Sequence, residues 1–129
     1  RFMMFYGNTL LEDIGDISHW STPDLTNTRE MFRNNSRMTS FDLHSWNTPK
    51  LVNAERMFQG CSLAKAIDIS GIDTSLVTNA SYMFHECPAL EYVIMEGTDI
   101  KFSGSVTIAD TSINGTAKFL VSANMVNAY

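Results

Sequence analysis

Met-Phe pairs recur along this chain at Met4-Phe5, Met31-Phe32, Met57-Phe58 and Met83-Phe84, in steps of 27, 26 and 26 residues. A fixed return of this length marks an array of stacked units, and it constrains the fold more than any local motif. Aligning on the pairs brings other residues into line. Thr22, Thr48 and Thr74 share a position, as do Leu25, Leu51 and Val77, and Asn27, Asn53 and Asn79. Trp20 and Trp46 align with Ile72. Ile17, Leu43 and Ile69 stand before them, preceded in turn by Asp16, Asp42 and Asp68. The extra residue of the first step falls at Gly15, where a small bulge is expected.

Each unit carries two patterns. Phe41 and Leu43, then Ile67 and Ile69, then Val93 and Met95 alternate with polar neighbours, the period-two signature of a short strand with one buried face. Thr48-Pro49 and Asp73-Thr74-Ser75 read as turns. Leu51, Ala54, Met57 and Phe58 then fall at approximate helical spacing, and Val77, Ala80, Met83 and Phe84 repeat it. The pattern predicts an α/β solenoid whose units of about 26 residues run strand, turn, short helix and return loop. Neither a two-turn helix nor a lone strand is stable alone, so stacking must stabilise both. The Met-Phe pairs would form its apolar spine.

The chain of 129 residues is long enough for one domain with a core, and 44% hydrophobic residues are too many for disorder. A net charge of −5 without a basic cluster disfavours nucleic acid and anionic membrane as partners. No apolar run is long enough to insert into a bilayer. The chain opens within a unit, at Arg1-Phe2-Met3-Met4, and ends abruptly, so it is expected to be a piece of a longer protein.

Met57-Phe58-x-x-Cys61, followed by Ile67-Asp68-Ile69-Ser70, Asp73-Thr74-Ser75-x-Val77-Thr78-Asn79 and Met83-Phe84, resembles the BspA-like leucine-rich repeat family of bacterial surface proteins. The resemblance covers residues 4–96. It implies a leucine-rich-repeat-like stack over residues 1–100, about four repeats with the first and last partial. The usual inward Asn of leucine-rich repeats is replaced by Trp20, Trp46 and Ile72, which are expected in the core. Residues 101–129 break the period and resemble the closing segment of such arrays, a truncated β-containing C-terminal cap. The segment Ala117–Val121 reads as its strand.

Several groups bear on chemistry. Asp16, Asp42 and Asp68 form one outward row on the strands, and Ser18, His44 and Ser70 the next. Stacked carboxylates suggest oxygen-ligand cation coordination, but hydrogen bonding to nearby backbone is the favoured reading and no metal site is assigned. Asn27, Asn53 and Asn79 are expected to cap or to bond within turns. Cys61 and Cys87 sit at equivalent positions. Buried free thiols are expected ahead of a disulfide, which the spacing also allows. No zinc, phosphate-loop or nucleophile motif is present, so neither a cofactor nor an enzyme is expected.

The expectation that follows is a non-enzymatic binding or adhesion module. Surface display, secretion and attachment to a host or cell-surface protein or glycan are what the resemblance implies. The contact face is placed on Asp16, Ser18, Asp42, His44, Asp68 and Ser70. The alternative is a structural spacer or decorating domain of a larger surface or virion assembly, with no ligand site of its own.

Overall fold

The computed structural model describes residues 6–7, 22–95 and 118–121, the last of these by backbone only. Four short strands, β1 (Ser40–Asp42), β2 (Ala66–Asp68), β3 (Tyr92–Met95) and β4 (Lys118–Val121), form one parallel sheet in chain order. Phe41 pairs with Ile67, Ile67 with Val93 and Val93 with Phe119, so every strand-to-strand step is one 26-residue repeat. β4, placed by sequence in the closing segment, thus continues the same ladder. Phe41, Ile67 and Val93 are buried while Ser40 and Asp42 face water, as a half-buried strand requires.

The expected α/β solenoid is not what forms: no helix occurs among the described residues. The segments read as helices, after Leu51 and after Val77, are chains of tight turns. Met57, Gln59 and Cys61 donate their N–H to the carbonyls of Ala54, Arg56 and Phe58, three residues back rather than the four of an α-helix. The alternate amides leave the unit altogether. Ala54, Arg56, Phe58 and Gly60 donate to Asn79, Ser81, Met83 and His85 of the next unit, at 2.8–3.0 Å. Thr28, Glu30, Phe32 and Asn34 do the same toward Asn53, Glu55, Met57 and Gln59. Successive coils are therefore sewn together on both sides, by strands on one and by turn amides on the other.

Backbone dihedrals show what blocks the helix. Glu30, Arg56 and Tyr82, one repeat apart, all have φ between 54° and 58°. Gly7, Asn34, Gly60 and Glu86 form a second such row, with φ of 58–76°. Two left-handed residues per coil cannot sit in a right-handed helix, but Glu30, Asn34, Arg56, Gly60 and Tyr82 are each the third residue of a hydrogen-bonded turn, the position that takes positive φ in type II turns.

The core lies between the two ladders. Met31, Phe32, Met57, Phe58, Met83 and Phe84 are buried, so the three described Met-Phe pairs lie along one axis; Met4-Phe5 lies outside the described residues. Phe58 stacks on Phe84 with centroids 5.9 Å apart and planes 4° from parallel. Phe41, from β1, wedges against Phe32 and Phe58, 5.1 Å from each. Trp46 and Ile72 are buried, in keeping with their shared position. Each buried aromatic or Met side chain is worth about 1.5–3 kcal/mol, and the buried aliphatics Leu43, Leu51, Ile67, Ile69 and Leu90 add to the same core.

Cys61 and Cys87 are free and buried. Each thiol donates along the stack, to the carbonyl oxygens of Phe32 and Phe58 respectively, at 3.2 Å. Asn35, at the same repeat position, donates its Nδ2 to Phe32 O at 2.7 Å. The position needs a small buried donor, and either residue type supplies one.

Candidate functional site

The outward row lies at the C-terminal ends of β1 and β2. Register places Asp42 directly beside Asp68. Both carboxylates are tied to the backbone two residues on: Asp42 Oδ1 accepts from His44 N–H at 3.1 Å, and Asp68 Oδ1 from Ser70 N–H at 2.9 Å. The favoured hydrogen-bonding reading of the aspartates therefore holds at both described positions. Asn27, Asn53 and Asn79 make the corresponding bond on the turn side, each accepting from the amide two residues on, at 2.8–3.1 Å. Asp16 and Ser18 lie outside the described residues.

His44 ties the row together. Its Nδ1 is 2.6 Å from Asp42 Oδ1 and its Nε2 is 3.0 Å from Ser45 Oγ. The hydrogen bond that the His44 ring donates to Asp42, then the charge of Asp42, and to a smaller extent that of Asp68, raise the His44 pKa above its ordinary value. Ligand atoms of Asp42, His44 and Asp68 all lie within 4.8 Å of one another. The first two side chains are exposed, at 66% and 59%, and Asp68 is half-buried.

A surface cavity of about 370 Å³ adjoins the row. His44, Trp46 and Asn47 line it from one coil, and Ser70, Gly71, Ile72, Asp73 and Thr74 from the next. Two local features shape its floor. Gly71 packs so closely on the preceding coil that a Cβ would overlap the carbonyl oxygens of Leu43 and Trp46. The Thr row stitches adjacent coils: Thr22 Oγ1 accepts from Asn47 N–H at 3.3 Å, and Thr48 Oγ1 from Asp73 N–H at 3.0 Å. Asn47, Gly71, Asp73 and Thr74 were not marked by sequence as site residues. The alignment of Thr22, Thr48 and Thr74 was the available signal, since a repeated buried hydroxyl needs a repeated partner.

The bonds Asp42–His44–Ser45 have the order of a nucleophile relay. Their setting is that of an exposed turn. His44 and Asp42 are bathed in water, where fixed charges are strongly screened, whereas nucleophilic catalysis draws on a dry, preorganised site. The arrangement is a pair of carboxylates, an imidazole and hydroxyls beside a shallow hollow.

A family model described as "Mycoplasma protein of unknown function, DUF285" matches residues 2–119. The match agrees with a BspA-type repeat and carries the resemblance no further than a domain of unknown function. No curated protein and no solved structure matches the chain.

Proposed function

The chain belongs to the Mycoplasma family of unknown function DUF285, and we propose that it is a non-enzymatic binding module, displayed outside the cell, that recognises a protein or glycan through its outward strand row. One observation carries the reading. Parallel register at a 26-residue step lines up Asp42 with Asp68, with His44 and Ser70 beside them, along a polar cavity that two coils share. Repetition makes such a row rigid and extensible, and extended rigid surfaces are what stacked-coil proteins use for recognition. A hollow lined by the hydroxyls of Ser70 and Thr74, the amide of Asn47 and the carboxylate of Asp73 suits hydroxyl-rich or basic partners.

The test is an array of glycans and extracellular-matrix proteins probed with this chain and with an Asp42→Lys/Asp68→Lys variant. Binding to a defined ligand, lost in the variant, is expected. A ligand bound equally by both chains would remove the row from the contact face.

A further inference from the structure

We propose that Asp42, His44 and Asp68 bind one divalent first-row transition-metal ion across the step between two successive coils. Their ligand atoms already lie within 4.8 Å of one another, close enough to share one ion after small side-chain rotations. The donors come from two coils, and the parallel pairing of Asp42 with Asp68 fixes their spacing. The imidazole sets the class of metal: two carboxylates alone suit calcium, magnesium or manganese, and an added imidazole nitrogen favours zinc, copper or nickel.

Three further observations favour a cation here. First, the site places two carboxylates directly opposite one another on paired strands, so both can reach a single ion. Asp68, half-buried, forms no ion pair among the described residues. Second, the carboxylates are oriented beforehand. The amides of His44 and Ser70 each hold one Oδ1, the outer-shell bonding that steadies metal ligands. Third, His44 and Ser70 border the adjoining cavity, which leaves room for waters or a partner's donor to complete the coordination. An ion with open positions on an exposed face would present an anionic or hydroxyl-rich partner with a ligand site. What the ion does for a partner rests on the contact-face reading above; that it binds does not.

The experiment titrates Zn²⁺ into the isotopically labelled chain. It follows the His44 ring by NMR and the heat of binding by calorimetry, in wild type and in Asp42→Asn, His44→Gln and Asp68→Asn variants. Thermal melts confirm that each variant is folded. One Zn²⁺ should bind, with the His44 ring signals shifting to saturation. Outer-shell changes already cost 10–100-fold in affinity, so loss of any one ligand should weaken binding by about tenfold or more. Asp68→Asn is decisive because Asp68 belongs to the other coil. Wild-type affinity in that variant, or His44 signals that stay in place at millimolar Zn²⁺, would overturn the site. Absent Zn²⁺ binding alongside a partner lost on charge reversal sinks the metal site alone. Intact Zn²⁺ binding alongside a partner indifferent to charge reversal sinks the contact face alone.

Discussion

The rings of Phe32 and Phe58 stack face to face, 5.6 Å between centroids and 10° from parallel. They are 26 residues apart in sequence, so the contact measures how well consecutive coils superimpose. Phe58 has a second ring, Phe84, on its other face and the edge of Phe41 against its rim. Truncating it removes the middle of the spine, and the turn amides on either side prevent collapse into the space. Phe58→Ala should destabilise the chain by about 3–5 kcal/mol. Urea unfolding that shows a loss under about 1 kcal/mol would contradict a core built on this column.

The left-handed row gives a prediction of opposite sign. Gly7, Asn34 and Gly60 occupy it with residue types that tolerate positive φ, but Glu86 holds φ 58° with a side chain 60% exposed and its carboxylate 3.5 Å from His85 Nε2. Left-handed backbone costs a residue with a Cβ about 1–2 kcal/mol, offset in part by the greater chain entropy of glycine. Glu86→Gly should therefore stabilise the chain by about 0.5–1 kcal/mol. A lower urea midpoint in this variant would mean that the Glu86 side chain contributes more than its backbone costs.

Burial makes the thiols inert. Loss of hydration pushes the Cys87 pKa up to about 12 and raises that of Cys61 well above the ordinary thiol value. Alkylation needs a thiolate at the surface, and neither residue offers one. In the native chain both cysteines should resist iodoacetamide at neutral pH, and both should react in denaturant. Mass spectrometry should then count two alkyl groups without prior reduction. Rapid labelling under native conditions would show that the coils around Phe32 and Phe58 open readily.

The parts of the fold that depend on period were legible in the sequence. The spacing of the Met-Phe pairs gave the spine, and the alternation about Phe41, Ile67 and Val93 gave the strands. The helix was misread for a physical reason. Leu51, Ala54, Met57 and Phe58 fall at intervals of three and four, and a run of overlapping turns brings such residues to one side as a helix does. What separates the two is backbone sign. Gly60 and Asn34 hint at it, but Glu30, Arg56 and Tyr82 do not, since nothing in those side chains asks for positive φ. Their conformation comes with bonds to a neighbouring coil, as Glu30 N–H to Glu55 O shows. The site divides in the same way. The outward facing of Asp42 follows from period two. The hollow beside it depends on Gly71 seating against Leu43 and Trp46, a contact between coils that no single repeat encodes.

His44 provides a test of the row's electrostatics by itself. The hydrogen bond and charge of Asp42, with a smaller contribution from Asp68, favour the imidazolium, so in chelator-treated protein His44 should titrate above its ordinary value of 6.5. The folded pKa is raised. The stabilisation from the protonated ring is therefore complete below the unfolded pKa and is lost as pH rises through the folded one. Because the ring is exposed, the effect on stability is small, and the ring's own titration is the better readout. Asp42→Asn should bring the His44 midpoint down toward 6.5, and Asp68→Asn should lower it less, following the order of the two influences. A wild-type midpoint at or below 6.5, or one indifferent to Asp42→Asn, would mean that Asp42 and His44 do not hold their 2.6 Å contact in solution.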